Sequence, residues 1–175
     1  MIDPARYVAA LRFAAERHHA QRVPDSEYPY LVHVVSVAAE TIAALVLGVD
    51  ADLAVTCALL HDTIEDTATT HAELVDRFGL AVADGVRALS KDSALPKAER
   101  MADSLRRIQA QPHAVWMVKL ADRITNLDVP PRSWTAEKRQ AYRDEAIVIA
   151  DALGAASPLL EARLRARIAA YAAHL

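Results

Sequence analysis

The residues most suited to chemistry lie in the run Leu59-Leu60-His61-Asp62-Thr63-Ile64-Glu65-Asp66-Thr67. An adjacent His-Asp pair closes an apolar helix, and two more carboxylates follow within a turn. Such a group makes a poor core, because buried histidine and carboxylates are costly unless paired or bound to a metal. It is well suited to holding a divalent cation and a water. Two other segments add matching donors. His33 opens a long apolar helix after Tyr28-Pro29-Tyr30-Leu31-Val32, and Asp122 interrupts the apolar run Val118-Lys119-Leu120-Ala121-Asp122-Arg123-Ile124. His33, His61, Asp62 and Asp122 would thus come from three helices. Two imidazoles and two carboxylates suit a borderline cation such as Mn²⁺, Fe²⁺, Co²⁺ or Zn²⁺. A closed structural zinc site normally uses cysteine, and the chain has only Cys57.

Each residue also has a plainer reading. His33 alone fits a hydrogen-bonded core histidine. His61 fits a helix C-terminus favoured by the macrodipole, which leaves Asp62 unexplained. Asp122 has Lys119 and Arg123 as nearby partners. Glu65 and Asp66 fit a charged loop capped by Thr67. Adjacent residues diverge on an ideal helix, so His61 and Asp62 reach one ion only if the helix ends or distorts there.

Most of the chain has helical period, and no window alternates as a strand does. Asp3-Pro4 caps a helix to about His19. Residues 20–30 form a loop, and a helix runs from about Leu31 to Leu47 before Gly48. Asp50 caps a helix to about Asp62. Thr69 or Thr70 caps the next, with Glu73 as capping-box partner of Thr70, and it ends at Gly79. A further helix runs to about Ser90. Leu95-Pro96 starts another to about Ala110, and Pro112 precedes the helix of Asp122. Val129-Pro130-Pro131 breaks the chain, Thr135 caps the following helix, and Ser157-Pro158 opens the last. The expectation is an all-α bundle of about eight to ten helices, with residues 1–175 as one domain.

At 175 residues, with 53% hydrophobic residues and four glycines, the chain has enough apolar material for one sizeable core. A net charge of −3 gives no general attraction to nucleic acid. No apolar run is long enough to span a bilayer, and Met1 to Ala10 lacks a signal-peptide pattern. A single cysteine fits a reducing cytoplasm.

The order His, His-Asp, Asp resembles the HD superfamily of metal-dependent phosphohydrolases. The run HDTIEDT, the later LPKAER (Leu95–Arg100) and KLADRITNL (Lys119–Leu127) resemble the hydrolase domain of the RelA/SpoT family, and most of all its small Mesh1-type alarmone hydrolases. The resemblance extends from about Tyr7 to Tyr142. It implies an HD-domain helical bundle, His33, His61, Asp62 and Asp122 as metal ligands, and Glu65 and Asp66 as the catalytic pair. It implies Mn²⁺, with other divalent transition metals as alternatives. It further implies a nucleotide substrate held by Arg22, Lys97, Arg123, Asn126, Lys138 and Tyr142. The expected reaction is removal of pyrophosphate from the 3′ position of (p)ppGpp, leaving GDP or GTP. The chain ends at Leu175, so the expectation is a stand-alone cytoplasmic hydrolase, with homo-oligomerisation left open.

Three changes, at four positions, depart from the family pattern. Val23-Pro24 replaces the usual basic pair, Val34 the usual proline after the first metal histidine, and Thr125 an aromatic or histidine. All three touch the substrate side. The alternatives are therefore an HD phosphohydrolase acting on an adenine alarmone or a phosphorylated dinucleotide such as NADPH, or a non-catalytic nucleotide sensor.

Overall fold

A computed structural model describes all residues, 1–175. Ten α-helices account for the architecture, with no strand: α1 Pro4–Arg17, α2 Leu31–Ala43, α3 Ala51–Leu60, α4 Thr63–Asp66, α5 His71–Phe78, α6 Leu80–Leu89, α7 Arg100–Gln109, α8 His113–Asn126, α9 Ala136–Leu153 and α10 Pro158–Tyr171. Helix α3 is the hub. It packs on α1, α2, α6 and α8, and every residue from Leu53 to Leu60 is buried. A helix apolar on all sides has to lie inside. Where α3, α6 and α8 meet, a Cβ at Gly85 would come 2.8 Å from Cys57 Sγ and 3.0 Å from a Val115 methyl carbon. Only glycine lets these helices approach so closely. The buried apolar cluster runs continuously from Ala10 on α1 to Tyr171 at the end of α10.

The capping residues expected from the sequence are in place. Asp3, Asp50, Thr70, Thr135 and Ser157 each accept from a backbone N–H in the first turn of their helix, at 2.9 to 3.3 Å. Gly79, at φ 87°, separates α5 from α6. The capping box is only half formed, because the Glu73 carboxylate turns away to pair with Arg17 on α1.

Three boundaries differ from expectation. Helix α2 stops at Ala43 rather than Leu47. Val46 and Leu47 are exposed, so their apolar spacing meets no core that would reward another helical turn. Helix α7 starts at Arg100 rather than Leu95. The Arg100 guanidinium takes the carbonyls of Leu95 and Ser93 at 2.9 and 2.8 Å, holding 93–99 as an ordered loop. The helix expected to run to Asp62 ends at Leu60, and α4 follows it after a two-residue break.

Candidate metal centre

That break is what brings adjacent residues to one point. Asp62 has φ −98° and ψ −1°, off the helical track, and the Thr63 hydroxyl donates to the Leu60 carbonyl at 2.7 Å. The chain tightens after Leu60, and His61 and Asp62 turn inward together. His61 Nε2 and Asp62 Oδ2 are 2.9 Å apart. His33, third residue of α2, brings its Nε2 to 3.3 Å from His61 Nε2 and 3.6 Å from Asp62 Oδ2. Asp122 on α8 places Oδ1 at 3.5 Å from His33 Nε2 and 3.7 Å from His61 Nε2. Ligand atoms about 2.1 Å from one ion lie about 3.0 Å apart at right angles and about 3.4 Å apart at tetrahedral angles. His33, His61 and Asp62 form a compact group near that spacing, and Asp122 joins it through the two histidines.

The surroundings orient His61 to face that point as an acceptor when its ring is neutral. The His61 Nδ1–H donates to the Ala58 carbonyl at 2.9 Å, so the neutral ring presents a lone pair at Nε2. Lone pairs and carboxylate oxygens this close repel unless a positive charge sits between them. The electrostatics carry the same demand. Burial works to lower the pKa of His61 and of His33, yet the Asp62 and Asp122 carboxylates prevail and hold both rings above the usual histidine value. Burial likewise works to raise the two carboxyls. The histidines beside Asp62, and Lys119 with both histidines beside Asp122, hold them below the usual range. The donor set fits a divalent cation, which would satisfy all four groups at once.

A second layer grips the carboxylates. The Tyr30 hydroxyl donates to Asp62 Oδ2 at 2.6 Å. Lys119 Nζ donates to Asp122 Oδ2 at 3.0 Å, and Asn126 Nδ2 donates to Asp122 Oδ1 at 2.6 Å. Such partners fix ligand orientation. Tyr30 was not among the expected site residues; a phenol three residues before His33 was the available signal.

The chain matches the HD domain family over residues 10–159. It belongs to the HD-domain family. It is 35% identical over 164 residues to the zebrafish (Danio rerio) guanosine-3′,5′-bis(diphosphate) 3′-pyrophosphohydrolase MESH1, covering 89% of this chain and 88% of that protein. Against the human MESH1 the identity is 34% over 173 residues, 93% of each chain. A solved structure described as a metazoan orthologue of SpoT that hydrolyses ppGpp and plays a role in starvation responses superposes with a TM-score of 0.82. That structure is 29% identical and covers 95% of this chain and 96% of its own.

In this HD domain the Glu-Asp pair lies on α4, and two loops hold it. Glu65 Oε2 accepts from the Lys91 N–H at 2.7 Å, and Asp66 Oδ2 accepts from Gln21 Nε2 at 2.9 Å. The tips remain accessible to solvent. The surrounding protein atoms push the Glu65 carboxyl above its usual value, against the opposing pull of the Lys91 N–H and of the Lys119 charge.

The six residues expected around a substrate divide into three kinds. Arg22 and Lys97 are exposed, their side chains free of partners within the protein. Asn126 is spent on Asp122. Arg123, Tyr142 and Lys138 pack on α9 and its approach. Arg123 is buried, its guanidinium 4.1 Å from the Tyr142 ring centre and 3.3 Å from Glu145 Oε2. Lys138 Nζ lies 4.2 Å over the Trp134 ring. Glu145 already takes Arg123 Nη2, and Arg123 Nε is buried with no partner. A groove of about 430 Å³ one turn beyond His33 and Asp122, between Ser36, Glu40, Thr125, Asp128, Arg163 and Arg167, contains none of the four donors. The HD domain has no helix long and apolar enough to cross a membrane.

Proposed function

We propose that this chain is a Mn²⁺-dependent nucleotide phosphohydrolase that removes pyrophosphate from the 3′ position of (p)ppGpp. One observation carries the reading: His33, His61 and Asp62 converge at 2.9 to 3.6 Å, Asp122 lies 3.5 and 3.7 Å from the two histidines, and Glu65 and Asp66 follow one turn away. The MESH1 relatives, matched over most of both chains, support the same substrate.

His33 Nε2, His61 Nε2, Asp62 and Asp122 would hold the cation, which when bound supplies a water of pKa lowered from ~15.7 towards ~7. Glu65 and Asp66 accept the proton of the attacking water and align its oxygen with phosphorus. The P–O bond to the ribose 3′ oxygen breaks, that oxygen takes a proton, and pyrophosphate departs. Arg22 and Lys97 are the cations free to meet the phosphates. The chain acts as one domain, its core continuous from α1 to α10, and a single free cysteine suits the cytoplasm.

The test is an assay of Mn²⁺-reconstituted protein against ppGpp, pppGpp, an adenine analogue and NADPH, with products identified by ³¹P NMR. Pyrophosphate and GDP from ppGpp are expected. Inert ppGpp beside phosphate released from NADPH would sink the alarmone reading. Replacing Glu65 or Asp66 by alanine should keep the metal and lower kcat by about 10²–10⁴.

A further inference from the structure

Asp66 does not stand alone. Its Oδ2 accepts from Gln21 Nε2 at 2.9 Å, and Gln21 Oε1 lies 2.7 Å from His18 Nδ1. The chemistry orders this chain from the far end. An ionised carboxylate only accepts, so the amide NH₂ of Gln21 faces Asp66. The amide oxygen therefore faces His18, and His18 Nδ1 carries the hydrogen. The neutral ring then has no hydrogen at Nε2. Independently, His18 Nε2 is buried with no partner, where an N–H would be an orphaned donor. Both facts select the same tautomer.

Backbone hydrogen bonds and ring packing hold the corner that carries this chain. His18 caps the C-terminus of α1 and is 2% exposed. The Gln21 N–H donates to the His18 carbonyl at 2.9 Å, and the Gln21 carbonyl accepts from the Tyr30 N–H at 3.0 Å. The His18 ring packs on the Tyr30 ring with centres 5.0 Å apart, and Tyr30 grips Asp62. One corner thus reaches both a metal donor and a carboxylate of the Glu-Asp pair. A phenylalanine or leucine would fill the His18 site without leaving a buried nitrogen unmatched. What histidine adds is the Nδ1–H donor.

We propose that His18 and Gln21 are positioning residues that set the Asp66 carboxylate through the His18–Gln21–Asp66 hydrogen-bond chain. Its effect on catalysis rests on the reading of Asp66 above. His18→Phe keeps the ring and loses the donor. His18→Asn keeps a donor where Nδ1 sits. Gln21→Ala removes the link. His18→Phe and Gln21→Ala should retain metal and lower kcat on ppGpp about tenfold or more, with KM within about twofold, as misalignment of a reacting group does. His18→Asn should recover most of the loss. In an Asp66→Ala background His18→Phe should cost nothing further. Without metal, ¹⁵N relaxation of the Gln21 side-chain amide should show it ordered in wild type and His18→Asn, and mobile in His18→Phe.

An amide that stays ordered in His18→Phe, or a kcat loss undiminished in the Asp66→Ala background, overturns the proposal. If Asp66→Ala is itself fully active while the amide loosens as expected, the role of Asp66 fails and the hydrogen-bond chain stands. Should His18→Phe not fold, Gln21→Ala and His18→Asn carry the same comparison.

Discussion

The Tyr30 hydroxyl donates to Asp62 Oδ2 at 2.6 Å, the oxygen that also faces His61 and His33. Burial, then the Asp62 charge, pushes the phenol far above its usual pKa, so it remains a donor at any working pH. Tyr30→Phe keeps the packing against His18 and His33 and removes this bond alone. Loss of a partner of this kind lowers metal affinity about 10–100-fold. Calorimetric titration with Mn²⁺ measures it, and an unchanged Kd would mean that Asp62 is held by its backbone turn alone.

Metal should also stabilise the fold. A ligand that binds only the native state at 100 times its Kd adds about 2.7 kcal/mol, about 5–10 °C for a chain of this size. EDTA should lower the melting temperature by that amount and Mn²⁺ should restore it. His61→Ala should abolish the increment. A melting curve indifferent to both reagents would show that the four donors hold no ion.

Glu65 gives a pH prediction with a defined sign. Its folded carboxyl titrates above the unfolded value. The ionised form, which accepts the proton, is therefore lost as pH falls through a value above the ordinary glutamate pKa of ~4.3, and the acid limb of kcat should report it. The stability effect runs the other way. Folding favours the protonated carboxyl, so stability falls as pH rises from the unfolded pKa through the folded one. Glu65→Gln should gain stability relative to wild type at about pH 8, and that gain should vanish below the unfolded pKa. Parallel melts across this range decide it, and a gain that persists at the acid end would assign it to packing.

Arg123 should behave as a clamp between α8 and α9. It is buried over the Tyr142 ring and hydrogen-bonds the Tyr142 carbonyl at 3.3 Å. Lysine cannot reproduce a stacked planar cation with several donors. Arg123→Lys should cost about 1–3 kcal/mol in urea unfolding with KM for ppGpp nearly unchanged. Lys97→Ala should do the reverse, raising KM with unchanged stability, the signature of lost uniform binding. A normal unfolding midpoint with a raised KM in Arg123→Lys would instead place that guanidinium on the substrate.

The sequence by itself determined which residues could hold a metal and which helices carry them. His33, His61-Asp62 and Asp122 are polar interruptions in apolar helical runs, and the cost of burying such groups unpaired marks them as a candidate site. Capping residues and proline breaks likewise determined most helix starts, because caps act within a few residues. What lay beyond the sequence were the decisions made by distant partners. Helix α2 ends early because Val46 and Leu47 meet no core. Helix α7 starts late because Arg100 reaches back to two carbonyls. Lys119, Asn126 and Arg123 share one motif and look alike as polar groups beside Asp122. Helical spacing within α8 already brings Lys119 and Asn126 to the Asp122 carboxylate, whereas only tertiary packing sends Arg123 to Tyr142 and Glu145 on α9. The His18–Gln21–Asp66 chain joins residues up to 48 positions apart. A hydrogen bond depends on where side chains end in space, and local sequence does not encode that.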